Sequence, residues 1–174
     1  MNGFNVSEAG HVVNIIPPVD ITGGKIAQAF SMAGYKHASI VIQIGVSAAA
    51  PTAIILSVGT ATAGVGTAVA NATAIPFNIY TQETAGASHD VESAITAVAA
   101  AGYSPAATDG IFYVIEIDAN EMEAALAGAL TGTLGQFTYL QLSITNGTNS
   151  VIASAVAVLS GARFSEAQSP TATA

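Results

Sequence analysis

Ser88, His89 and Asp90 stand side by side, and together they are the three residue types of a hydrolytic triad. Acyl transfer needs them as a relay, serine hydroxyl to imidazole and imidazole to carboxylate, which neighbours on one loop do not generally form. No Gly-x-Ser-x-Gly elbow accompanies them. Ser88 or Asp90 is therefore expected to cap a helix. The histidines His11, His37 and His89 show neither an i, i+4 pair nor a His-x-His spacing, so metal ligation is not expected of them. Gly64-Val65-Gly66 begins like a phosphate-binding loop, but Val69 replaces the third glycine and no Lys-Ser or Lys-Thr follows. Asp118, Asn120, Glu121 and Glu123 bring oxygen donors together without the spacing of a calcium loop, and they read as an exposed helix start. The chain has no tryptophan to build a sugar platform between paired carboxylates. No catalytic residue, cofactor or metal site is expected. The acceptor patterns at Asn5, Asn71 and Asn146 read as chance matches in a chain rich in serine and threonine.

Composition points away from chemistry and toward surfaces. Only 8% of the 174 residues are charged, and mean hydropathy is +0.56. An ordinary soluble domain carries about 25% charged residues. So little charge protects a free monomer poorly against self-association, and burial of the neutral surface in an assembly is the simplest remedy. Lys25, Lys36 and Arg163 face eleven acids, a net charge of −8 that cannot neutralise a run of phosphates, so direct nucleic-acid binding is not expected. Without cysteine there are no disulfides and no thiol chemistry. The N-terminus lacks the basic and apolar regions of a secretory signal.

The elements that would position any contact surface are strands. HASIVIQIGVSAAAPTAIILSVG, residues 37–59, is apolar enough to suggest a bilayer, but Gln43, Gly45, Ser47 and Pro51 interrupt it and its period is two. Ile40, Ile42, Ile44 and Val46 are expected on one face, and Ser39, Val41, Gln43 and Gly45 on the other. The same alternation places Ile75, Phe77 and Ile79 on one face, and likewise Ile111, Tyr113, Ile115 and Ile117. Asn146-Gly147 predicts a hairpin between a strand bearing Leu140, Leu142 and Ile144 and one bearing Ile152, Val156 and Val158. The remaining face of that last strand, with Ala153, Ala155 and Ala157, suits close approach by another sheet or subunit. Residues 59–73 read as a small-residue loop, 89–103 as helix or mixed, and 118–130 as a short helix. The expected fold is mainly β: an antiparallel β-sandwich, jelly-roll-like, with one or two short helices. Residues 1–24 are expected as an extended N-terminal arm, 25–164 as the sandwich, and 165–174 as a polar tail that lies on a neighbour or is loose. No membrane span is expected.

Several segments, in order along the chain, resemble a family of small virion structural proteins of tailed bacteriophages. They are HVVNIIPPVDITGG, FSMAGYKHASIVIQIGVSAAAPT, IPFNIYTQETAG, DGIFYVIEIDANEM and ASAVAVLSGARFSEAQSPTA, about half the chain. The resemblance implies a non-enzymatic capsid decoration or minor capsid protein in the virion head, made in the host bacterial cytoplasm. Its partners would be itself, as a trimer or other small homo-oligomer, and the phage major capsid protein. Expected partner contacts are Ile15, Pro17, Pro18 and Val19 in the arm, with Arg163 and Phe164 as a second strip. The alternative is a receptor- or glycan-binding appendage, which would expose Tyr35, Tyr80 or Tyr103 beside carboxylates in a groove.

Overall fold

A computed structural model describes residues 6, 10–61, 63–82, 92–107, 109–127, 139–162 and 171. The strands are β1 (Gly10–Asp20), β2 (Lys25–Ile26), β3 (Phe30–Ser31), β4 (His37–Ser47), β5 (Ala53–Gly59) and β6 (Thr73–Ala74). They continue with β7 (Phe77–Gln82), β8 (Thr96–Val98), β9 (Phe112–Asp118), β10 (Tyr139–Thr145) and β11 (Val151–Ser160). The helix α1 (Ala119–Ala127) follows β9 directly. The six-stranded sheet runs β1-β11-β4-β9-β7-β8, the five-stranded sheet β2-β10-β5-β6 with β3 also on β10, and every pairing is antiparallel.

Alternation in sequence becomes a shared core between the sheets. Ile40, Ile42 and Ile44 of β4, Tyr113, Ile115 and Ile117 of β9, and Phe77 and Ile79 of β7 point inward from one sheet. Ile54, Leu56 and Val58 of β5 and Leu140, Leu142 and Ile144 of β10 meet them from the other. Each such side chain contributes about 1.5–3 kcal/mol by leaving water. The alanine face of β11 is the inward one: Ala157, Ala155 and Ala153 lie opposite Ile40, Ile42 and Ile44 on β4. A small ladder beside a large one lets both strands share one packed layer.

Four expectations are corrected. Residues 10–20 are no arm: they form β1, an edge strand paired along β11, because Val13, Ile15 and Ile16 bury their side chains. β10 and β11 do not form a hairpin but belong to different sheets. A two-residue type I′ turn needs positive φ at both central residues, and neither Asn146 nor Gly147 has it. Asn146 Nδ2 donates instead to the carbonyls of Ile21 and Asn149, at 3.2 and 3.0 Å, and pins a loop that crosses between the sheets. In 89–103 the described residues hold the short strand β8 rather than a helix, because Val98, Ala97 and Thr96 pair with Phe77, Asn78 and Ile79 of β7. Val46 leaves the isoleucine face and is 73% exposed. Between Ile44 and Ser47 β4 carries one residue more than its partner segment Val151–Ala153, a bulge that reverses the side-chain parity.

The segment 59–73 is largely loop, as expected, and is tied down by Gln141, which is 3% exposed. Gln141 Nε2 donates to the carbonyls of Ala27 and Thr67, at 2.9 and 2.8 Å, and Oε1 accepts from Val69 N–H at 2.9 Å. Thr171 comes back to the body of the same chain, its carbonyl accepting from Ser31 N–H at 2.9 Å. No described helix is long and apolar enough to cross a membrane.

Candidate functional site

The outward face of the six-stranded sheet is built by the parity that the core leaves over. Register sets its side chains in rows across the strands. The central row is Asn14 of β1, exposed, followed by Val156 of β11, Val41 of β4, Val114 of β9 and Tyr80 of β7, all partly exposed. On one side of it lie Ser154, Gln43, Phe112 and Gln82. On the other lie Val12, Val158, Ser39, Glu116 and Asn78. Val12 is 51% exposed, and Ile152 and the bulged Val46 extend the apolar surface toward the far end. In these rows the charged residue is Glu116, with Asp118 and His37 just beyond it at one end and Asp20, opposite Ile152, at the other. An outward sheet face in water normally alternates polar residues with the buried ones. Here β11 turns Ile152, Val156 and Val158 outward, and β4 and β9 each add one valine, Val41 and Val114, to the same face.

The charged end is a closed network. His37 stands opposite Asp118, and Ser39 opposite Glu116, in the β4–β9 ladder. His37 Nδ1 lies 2.7 Å from Asp118 Oδ1, and Nε2 lies 2.6 Å from Glu116 Oε2. Ser39 Oγ donates to the same Glu116 oxygen at 2.7 Å and lies 3.3 Å from Nε2. An ionised carboxylate only accepts, so both ring nitrogens must carry protons for both contacts to hold. Partial burial works against that cation. Hydrogen bonds and charge from Asp118 and Glu116 outweigh it, and the pKa of the ring is raised above its ordinary value. A Ser39–His37–Asp118 sequence of contacts therefore exists, but the nitrogen facing Ser39 is held by Glu116. Such an imidazolium stores a proton and ties two strands; it has no lone pair with which to take the serine proton. Asp118 also precedes α1, where its N–H donates to Glu121 Oε2 at 3.1 Å in capping-box fashion.

The sequence-predicted contact residues are not brought together on this face. Ile15 is fully buried in the core, which corrects its expected role as a contact, because its side chain is on the inward parity of β1. Val19 packs partly against the same core, and of these four residues only Pro17 and Pro18 are exposed. Arg163, Phe164, Ser88, His89 and Asp90 lie outside the described residues. Tyr35 is buried and stacks on His11 with centroids 5.8 Å apart, so it does not line an exposed groove. Tyr103 packs edge-on against Tyr113. Among the described residues no group of three or more His, Asp or Glu is arranged to hold a metal ion.

Val41, Val114 and Val156 were readable as strand residues, but only the register of β4, β9 and β11 lines them up in one row. No local signal marked His37, Glu116 and Asp118 as partners, since 79 and 81 residues separate them in the chain. No family model, curated protein or solved structure matches the chain.

Proposed function

We propose that this protein is a non-enzymatic structural subunit, a bacteriophage capsid decoration or minor capsid protein that stabilises a head through subunit contacts. The observation that carries the reading is the central row of the outward face of the six-stranded sheet, where Val156, Val41, Val114 and Tyr80 lie side by side on four strands with Val12 and Val158 next to them. A face of this kind is expensive to leave in water and useful when covered by protein. The scarcity of charge over the whole chain and the resemblance of its segments to small phage virion proteins support the same reading. The work is mechanical: buried apolar area holds neighbours together, and repetition over a lattice multiplies a modest affinity per site. Co-sedimentation of the purified protein with empty phage heads tests it. Binding that saturates near one copy per shell subunit is expected. Recovery of all the protein in the supernatant would refute the proposal.

A further inference from the structure

We infer that Asn146 is a site of self-modification, at which the backbone nitrogen of Gly147 closes on the side-chain carboxamide, expels ammonia and leaves aspartate or isoaspartate after hydrolysis. The inference stands on the geometry of one loop and does not depend on the reading of the protein as a virion subunit.

Ring closure needs the next backbone nitrogen within reach of the side-chain carbonyl, and no side chain on that next residue to block it. Both conditions hold here. Gly147 N–H donates to Asn146 Oδ1 at 2.9 Å. Oδ1 is bonded to the carbon under attack, so the reacting nitrogen and carbon start close together, as in a near-attack conformer. The same hydrogen bond polarises the carbonyl toward attack. The chain around the pair is held on every side. Asn146 Nδ2 donates to the carbonyls of Ile21 and Asn149, at 3.2 and 3.0 Å. The Gly147 carbonyl accepts from Gly23 N–H, and the Thr145 carbonyl from Thr52 N–H, each at 2.8 Å. Held torsions supply an orientation that a free peptide must find by chance. Gly147 and the three residues after it are exposed, so water reaches the ring and ammonia has a way out.

Water is the co-reactant, and no electrons are gained or lost. Base removes the Gly147 N–H proton, the nitrogen pair forms a bond to Asn146 Cγ, and the Cγ–Nδ2 bond breaks as ammonia leaves with a proton from water. A second water opens the five-membered imide. Attack at the side-chain carbonyl gives aspartate, and attack at the backbone carbonyl gives isoaspartate, with the main chain running through the side chain. Either product lacks the Nδ2 donor. A carboxylate only accepts hydrogen bonds, so the carbonyls of Ile21 and Asn149 lose their partner and the loop that crosses between the sheets is released. The change runs one way, and it loosens the joint between β10 and β11 as molecules age.

Incubation of the native protein at mildly alkaline pH, followed by digestion and mass spectrometry, reads the reaction. Asn146 is expected to exchange amide for acid at least about 10-fold faster than Asn71, which precedes Ala72. Its rate in the folded chain is expected to equal or exceed its rate in urea. A folded rate about 10-fold below the rate in urea would show that the fold protects the amide, and would overturn the inference. Gly147→Ala adds a Cβ that meets nothing within 4 Å, at a position where φ is not positive. It should slow the reaction at least about 10-fold while circular dichroism stays native. An unchanged rate in that variant would also overturn the inference. Asn146→Asp stands in for the aspartate product and should lower the ratio of folded to unfolded protein at least about 10-fold. Unchanged stability in it would refute the release of the loop.

Discussion

His37 Nε2 lies 2.6 Å from Glu116 Oε2, a contact across 79 residues of chain that exists because β4 and β9 pair in one register. With Asp118 on the other ring nitrogen, it closes a charged network at one end of the outward face of the six-stranded sheet.

That arrangement predicts a pH dependence of defined sign. The folded-state pKa of His37 is raised from 6.5. Its contribution to stability is then complete below the unfolded value and is lost as pH rises through the folded one. Urea unfolding at about pH 6 and about pH 9 should show the wild type losing stability on the alkaline side, with a smaller loss in His37→Gln. Equal losses in both proteins would remove the network from the account.

Asp20 should govern the opposite limb. Its carboxylate accepts from Ser150 Oγ at 2.6 Å, from Thr22 Oγ1 and N–H, and from Val151 N–H, and these bonds lower its pKa from 3.8 to about 2. A lowered pKa contributes stability above the unfolded value and loses it as pH falls through the folded one. Asp20→Asn should therefore flatten the acid side of the stability profile, and carboxyl NMR should place the Asp20 titration near pH 2. An unshifted titration would contradict the bonding described.

Gln141 predicts a larger loss from one buried side chain. Gln141→Met keeps the length and removes all three bonds to Ala27, Thr67 and Val69. Leaving such groups unsatisfied costs about 2–4 kcal/mol in total. Urea unfolding measures it, and loop 59–73 should gain amide exchange first.

Gly59 tests the close approach of that same loop. A Cβ there would meet the Val69 side chain, with Cβ at 2.6 Å, and the Ala70 carbonyl at 2.7 Å. Gly59→Ala should cost about 1–3 kcal/mol by overpacking. Adding Val69→Ala should restore only part of it, because the carbonyl remains. Full additivity of the two single losses would show that the contact is absent.

How much of this was legible in the sequence follows from the range of each interaction. Alternation in β4, β7, β9 and β10 is local, and Ile40, Phe77, Tyr113 and Leu142 are buried where their parity puts them. The Asn146-Gly147 turn was misread because its local signal lost to tertiary bonds from Asn146 to Ile21 and to strand partners elsewhere in the chain. Ile15 read as an arm residue because a single edge strand carries no local mark of the sheet it joins. Val46 was placed inward because a bulge depends on the partner strand, β11, more than a hundred residues away. The His37 network depends on register alone and could not be seen in the chain.

The central claim, that the neutral face is covered by protein, is tested most directly by the solution mass of the purified chain over a range of concentrations. Sedimentation equilibrium should give a discrete assembly that is a whole multiple of 17.2 kDa. A single species of 17.2 kDa at every concentration would contradict it.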